Sequence, residues 1–570
     1  MSNMANLSTP VEAHLEKAKT VEEPVSSRSS QTSTSTPPAL PVFNPGWRFK
    51  LAFSSLSVVT LMVALDATSL SVALPVMAKA LGGSAIEAFW SGTSFLLTST
   101  VFQPVLGNFS HIFGRKPLIL GSLVLFGIGA IVAAVANNFT VILVGRSIQG
   151  IGGGGVIALT EIISTDMVPL RERGKWFAFI SSMWALGTVI GPLLGGGLAQ
   201  AGEWRWIFWI NLPFIGIGGT MVILFLKLNF PTSDFAEKLR RVDWIGTVVF
   251  VAATVGFLIP ITWGGVQYSW SSWRTLVPLL VCAAALIGFV AYEEWLERRG
   301  REPTIRMSVL KHRTAAVTYA TTFLHGMILW SIVYYLPLYY EAVKEYSPIL
   351  SGVALFPQSF TVAPASMAVG IAIAITGKYT IFTWTGWAIT VLGMGLLTLL
   401  DIGTSVPAWI FLNLVSGLGT GVLFSAMALA VQAASTNENM DYAVTLFSFF
   451  RGAGQTVGVA VGGVIFQNQM KKEILKRSII AANANEWSQD ASGLVAILKA
   501  MADGPVKHAL QEAYVDANKM VWIVMTALAG VAFIISLWTE ALPLDRALET
   551  EQSFKHKEKH ADEEESKAAT

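Results

Sequence analysis

A single cysteine, Cys282, in 570 residues excludes an intramolecular disulfide and leaves the redox compartment open. Charge is nearly as scarce: Asp, Glu, Lys and Arg make up 13% of the chain, against about 25% in an ordinary soluble domain. The net charge of +2 says little by its sum, and no nucleic-acid partner is expected. No Gly-x4-Gly-Lys-Ser/Thr phosphate loop occurs, no Cys/His cluster at metal-ligand spacing, and no Gly-x-Ser-x-Gly nucleophile turn. These absences argue against an enzyme, a bound cofactor, or ATP as the energy source, and leave an ion gradient for any work the chain does.

Apolar sequence is abundant instead. Hydrophobic residues make up 53% and the mean hydropathy is +0.56. About fourteen runs reach the ~20 residues needed to cross a ~30 Å hydrocarbon core. They begin near Leu51, Glu87, Pro117, Phe139, Trp176, Trp206, Asp243, Leu276, Arg313, Ser351, Tyr379, Pro407, Tyr442 and Met520. The expected fold class is an all-α membrane protein, probed next by its charge. Arg48, Lys50, Arg115, Lys116, Arg171, Arg173, Lys175, Lys238, Arg240, Arg241, the cluster from Arg298 to Arg313, and Lys378 fall in alternate loops. The other short loops hold only Lys79, Arg205, Arg274 and Lys344. The positive-inside bias places both termini in the cytoplasm. The surrounding lipid is then the chain's first partner.

Three glycine patterns occur twice, in the same order. Gly107-x6-Gly114-Arg115 is echoed by Gly370-x6-Gly377-Lys378. Gly150, Gly152 and Gly154 are echoed by Gly417, Gly419 and Gly421. Gly187, Gly191 and Gly195 are echoed by Gly454, Gly458 and Gly462. Glycines four apart share one helix face and admit a second backbone. Each echo lies eight helices downstream, so two six-helix halves are separated by two extra helices, a duplication typical of transporters. The predicted organisation is a disordered cytoplasmic tail over 1–46 and an N-terminal six-helix bundle over 47–228. Basic linkers and the two inserted helices follow over 229–311. The C-terminal bundle covers 312–544, with a long outer loop at 469–519 carrying short amphipathic helices such as Leu494 to Met501, and a disordered tail covers 545–570.

The residues within these segments resemble a known family. Leu65-Asp66-Ala67-Thr68 with Val72-Ala73-Leu74-Pro75 resembles the first-helix motif of drug:proton antiporters of the major facilitator superfamily. Gly107 to Lys116 resembles its loop between helices 2 and 3, Arg146 to Gly150 its helix 4 motif, and Gly187 to Gly196 its antiporter motif in helix 5. Trp204 to Pro213 is similar to the start of helix 6 in the fourteen-spanner branch. The resemblance covers roughly Trp47 to Leu544 and extends to fungal toxin and multidrug efflux pumps. It implies the major facilitator fold, two pseudo-symmetric six-helix bundles plus two inserted helices. His111 stands where the family places Asp, so His111 can take that acid's place only as a hydrogen-bond partner.

Asp66 and Arg146 are the candidate proton-coupling pair. Ionisable groups inside a spanning helix are costly and face a cavity or a partner. Asp66 lies roughly 24 Å along its helix from Lys50, and Arg146 about 10 Å from the outer end of an antiparallel one, so the two share a depth. A static pair orienting two helices is the alternative. Asn413 occupies the repeat position of Arg146, which assigns protons to the N-terminal half. Gln149, His325, Tyr334, Tyr335 and Asn413 are candidate substrate-cavity residues; ordinary helix packing is the competing account of each. Gly107, His111, Gly114, Arg115, Lys116, Glu161, Gly187, Gly191, Pro192, Gly195 and Arg451 are candidate gating residues, with Glu161 and Arg115 expected to form an inner gate. Trp204, Trp206 and Trp209 are expected in an interfacial belt. The expected function is proton-coupled efflux of small amphipathic or hydrophobic compounds by a monomer in the plasma membrane, or alternatively the vacuolar membrane. A siderophore or amino-acid carrier and a non-transporting sensor are the rival readings.

Overall fold

The computed structural model describes residues 45–83, 85–229, 234–265, 267–488, 491–545, 552 and 554. Its long helices are α1 (Trp47–Ser69), α2 (Ala85–Phe113), α3 (Arg115–Ala134), α4 (Phe139–Met167), α5 (Leu170–Gln200) and α6 (Asn211–Phe225). They continue as α7 (Trp244–Trp263), α8 (Trp273–Arg298), α9 (Arg313–Ala342), α10 (Phe356–Thr376), α11 (Thr380–Leu397), α12 (Val406–Ala434), α13 (Met440–Lys476) and α14 (Pro505–Ser536). A turn at Trp206–Trp209 leads into α6 and a short helix at Pro348–Ala354 into α10.

Among the described residues thirteen helical spans are long and apolar enough to cross a membrane. The remaining long helix, α2, has 29 residues but six serines and threonines between Ser91 and Thr100. An interior position accommodates them because each hydroxyl can bond back to its own helix, as Ser91 does to the Ala88 carbonyl and Thr98 to that of Ser94.

The glycine echoes become helix contacts. A Cβ on Gly187, Gly191 or Gly195 would run into Ala64, Thr68 or Ser69, so the first ladder seats α5 on α1. The second seats α13 on α9, since Gly454 and Gly458 lie against the Phe323 and Met327 carbonyls and Gly462 against the Tyr335 ring. Gly150 and Gly154 admit α2 and Gly152 admits α3; Gly417 and Gly421 admit α10 and Gly419 admits α11. Every partner moves by the same eight helices as the glycine itself, so the two halves share one packing scheme, as the resemblance implies.

The pair α7–α8 packs on itself and touches the rest chiefly through α7, where Trp244 meets Phe109 at 5.9 Å and Phe250 meets Phe449 at 5.4 Å. The outer face of α8 is bare and apolar, with Ile287 at 73% exposure. Such a surface suits lipid.

Two helices outrun the hydropathy pattern. α13 extends to Lys476 and α14 starts at Pro505, well before Met520. Their polar extensions are fastened by Arg477, which bonds Glu473 at 3.0 Å, Asp516 at 2.7 Å and Glu512 at 3.3 Å. An apolar run marks the membrane-embedded part of a helix, not its end. The helix Ala491–Ala500 lies in this region, with Leu494 and Leu498 buried against α9 and its neighbours. Trp204 is not in an interfacial belt: it is 2% exposed, packed beneath Arg205. The first tail through residue 44 and most of 546–570 lie outside the described residues. Gln552 and Phe554 depart from the disorder expected there: Gln552 accepts the Arg115 backbone N–H at 3.1 Å and Phe554 packs on Phe49.

Candidate functional site

Asp66 is completely buried and its carboxylate is saturated with donors. Arg146 Nη1 donates to Oδ2 at 2.5 Å, Gln149 Nε2 to Oδ1 at 2.7 Å, and Asn211 Nδ2 to Oδ1 at 2.9 Å. Arg146 donates also to Gln149 Oε1 at 2.8 Å and to the Ser91 carbonyl at 3.1 Å, and its guanidinium lies 4.4 Å from the Phe95 ring centre. Gln149 is thus spent on the ion pair and does not face the central space, since it sits one turn from Arg146 on the same side of α4. Asn211, at the entrance of α6, is a member that the sequence reading missed. Its signal was an amide inside an otherwise apolar Ile-Asn-Leu stretch. One carboxylate therefore ties α1, α4 and α6.

At the end of the bundle that carries the basic loops, charges bridge the two halves. Arg115 donates to Asp166 at 3.0 Å and to Ser110 at 2.9 Å within its own half, and pairs with Asp441 of α13 across the boundary. His111 Nδ1 lies 3.4 Å from the same Asp441 carboxylate. Glu161 does not pair with Arg115; it accepts from Ser448 and Arg451 of α13, because α4 reaches α13 there while Arg115 turns toward Asp166. Arg173 reaches Gln432 at 3.1 Å. The backbones of α5 and α10 touch at Gly174 and Gly370, where a Cβ on Gly174 would stand 2.5 Å from the Gly370 carbonyl. Gly107 allows α2 to meet Thr445, and Gly114, at φ +97°, turns the chain into α3. Lys116 donates to the Ile223 carbonyl at 2.7 Å, within its own half. Outside the membrane at this end, the Glu302 carboxylate bonded to Arg241 holds that guanidinium above its usual range.

Between the halves, α1, α5, α9, α10 and α12 line a partly open space of about 500 Å³. Trp184, Trp330 and Phe424 form aromatic walls, and Thr68, Thr188 and Gln358 add polar groups. No charged side chain lines it among the described residues. Gln358 is 1% exposed; its Oε1 accepts from Ser359, and its Nε2 has no partner among the described residues. A second space of about 340 Å³ shares Thr68, Thr188, Val333 and Ser359 and continues away from the basic end, past Pro192, Pro337 and Gly352.

The predicted cavity residues sit beside this space rather than on it. Tyr335 donates to the Val459 carbonyl at 2.7 Å, His325 bonds the Thr420 carbonyl at 3.1 Å, and Asn413 donates to the Tyr340 hydroxyl at 2.7 Å. Tyr334 is closest, with its ring 5.8 Å from that of Trp330 and its hydroxyl toward Gly92 of the other half. The error is one of helical phase. On α9 the facing residues are Leu329, Trp330, Val333 and Pro337, and a helix apolar all round does not announce which stripe faces its partner.

Residues 56–459 match the family model of the Major Facilitator Superfamily. The chain is 59% identical over 534 residues to the MFS transporter L2 of a Phoma species, covering 94% of this chain and 89% of that protein. It is 34% identical over 541 residues to the MFS-type efflux pump LUC4 of a Fusarium species, covering 93% and 94%. Among solved structures the human organic anion transporter MFSD10 superposes with a TM-score of 0.55 at 15% identity, over 86% of this chain and all of that one.

Proposed function

This chain belongs to the Major Facilitator Superfamily, and from that footing we propose that it exports small, neutral amphipathic compounds by proton-coupled alternating access. One observation carries the reading: the buried carboxylate of Asp66 lies two residues from Thr68, which lines the central space. Protonating Asp66 removes its hold on Arg146, Gln149 and Asn211. The change is passed along α1 to Thr68, whose hydroxyl reaches both the Ala64 carbonyl at 2.8 Å and the Gly187 carbonyl at 3.1 Å. A proton is thereby linked to the seam between α1 and α5, the seam that must shift if the bundles rock.

Three features support the direction and the cargo. The basic end, cytoplasmic by its charge, is latched by ion pairs, whereas the space continues toward the other end between small and apolar residues. Aromatic walls without a charge suit neutral amphipathic molecules, secondary metabolites among them, better than amino acids or iron chelates. A relative of matching length is named an efflux pump. The space is complete within one chain, so a monomer suffices, and the plasma membrane is the site where export is useful.

The test compares, by untargeted mass spectrometry, the medium of cells carrying the wild-type chain, no chain, or Asp66→Asn. Compounds that accumulate outside only with the wild type, while the variant still reaches the membrane, are the expected result. Undiminished, gradient-dependent export by Asp66→Asn overturns the coupling assignment.

A further inference from the structure

The inserted pair α7–α8 carries a cluster that the transport reading leaves unused. Asp243 caps α7: its Oδ1 accepts from the Gly246 backbone N–H at 3.0 Å and from the Tyr292 hydroxyl at 3.1 Å, and its Oδ2 from Thr304 at 3.4 Å. Glu293 of α8 is wholly buried. Its Oε2 accepts from the Ile305 backbone N–H at 3.2 Å, but its Oε1 has no donor among the described residues. A methyl group placed on Gly246 would strike both Asp243 Oδ2 and Glu293 Oε1, so these two oxygens converge on one point.

No basic side chain pairs with either carboxyl among the described residues. The charged groups nearby pair with other residues or, like Arg301, act on the cluster without touching either carboxyl. Arg241 is held by Glu302, Arg306 by Glu438 and over the Tyr442 ring of α13, and Glu297 accepts from the Ser308 backbone. The field of Arg301 reaches Tyr292. Two buried carboxylates facing each other without a cation are mutually excluded, and one of them takes up a proton.

We propose that Glu293 and Asp243 share one proton, donated from Glu293 Oε1 to Asp243 Oδ2, as a buried proton-binding site separate from Asp66. The proton belongs to Glu293, because Asp243 has the Gly246 N–H and the Tyr292 hydroxyl as donors and the positive end of α7 to hold its charge, while Glu293 is held only by backbone N–H groups of the Thr304–Ile305 segment and its Oε1 has no donor among the described residues. A metal ion is a poorer occupant: no third His, Cys, Asp or Glu joins the group among the described residues. The proton fastens α7 and α8 to the Thr304–Ile305 segment that leads into α9. That same segment walls a crevice of about 290 Å³ opposite His111, Asp441 and Tyr442. The site therefore sits behind the latch at the basic end.

Infrared difference spectroscopy of the full-length protein in lipid nanodiscs tests this, titrated from neutral to alkaline pH. The expected wild-type signal is a protonated-carboxyl C=O band at neutral pH that bleaches as pH rises. It should persist in Asp66→Asn and vanish in Glu293→Gln, whose amide can still donate to Asp243. Should Glu293→Gln fail to fold, Asp243→Asn, which supplies an amide donor to ionised Glu293, must abolish the band instead. Identical spectra for wild type and the variant at neutral pH overturn the proposal. So does a melting temperature that rises with added sodium or calcium in the wild type only, which would make this a cation site. Failure of Asp66→Asn to alter export would leave this result untouched.

Discussion

His111, in the last turn of α2, lies 3.4 Å from Asp441, in the first turn of α13 on the opposite half. The family pattern puts an acid at the position of His111, on the same side as Arg115. Here the acid comes from the facing bundle instead, and Arg115 and His111 converge on it. The latch is thereby made strictly between halves: separating them strips Asp441 of both basic partners, while Arg115 keeps Asp166.

Asp441→Asn should unlatch the basic end. A hydrogen bond to a charged group contributes about 1.5–3 kcal/mol, so the closed form should lose roughly tenfold or more in population. The single native cysteine makes the measurement simple. In a Cys282→Ser background, Ser181→Cys on the cavity wall should react faster with an impermeant maleimide applied from the basic side once Asp441→Asn is added. Unchanged labelling would show that Asp441 holds nothing shut.

Glu161 and Arg451 form the second bridge, with both side chains largely buried. Breaking either partner leaves the other charge uncompensated. Glu161→Arg and Arg451→Glu should each lower transport, and the double reversal should recover part of it, with a coupling of about 1–3 kcal/mol. Strict additivity of the two losses, measured in the same transport assay, would mean that the pair does not act as a unit.

The glycine ladder separates close contact from free surface. A Cβ on Gly195 would be forced into the Ser69 carbonyl, whereas one on Gly197 would meet nothing within 4 Å. Gly195→Ala should cost about 1–3 kcal/mol through overpacking, and Gly197→Ala should be neutral or stabilise by up to ~1 kcal/mol. Thermal unfolding in detergent decides it; equal effects at both positions would refute the α1–α5 seam.

Legibility in the sequence followed physical locality. Glycine spacing reports a requirement met on one helix face, so the ladders, the repeat and the inserted pair could be read directly. Asp66 and Arg146 stood out because a charge inside an apolar run has few reasons to be there. Asp441 did not, since its partner Arg115 lies far away in the chain and an acid in the first turn of a helix has an ordinary local explanation. Asn211 was hidden for a similar reason: a lone amide carries no charge to mark it. The cavity wall failed by phase, because nothing in the sequence marks Trp184 and Trp330 as facing the space while Trp387 turns away from it.

Gln358 turns the cavity wall into a chemical prediction. Its unpartnered Nε2 lies at the central space, where a substrate carbonyl, ether or hydroxyl oxygen could accept from it. A buried donor left without a partner costs about 1–3 kcal/mol, so an oxygen placed there is recovered as affinity. Gln358→Leu, which keeps the approximate shape and removes the donor, should weaken binding of an oxygen-bearing exported compound by roughly tenfold. An analogue lacking that oxygen should bind the wild type and the variant equally well. Titration calorimetry on purified protein with the compound and its analogue reads both numbers. Equal weakening for both ligands would assign Gln358 to packing of α10 and not to recognition.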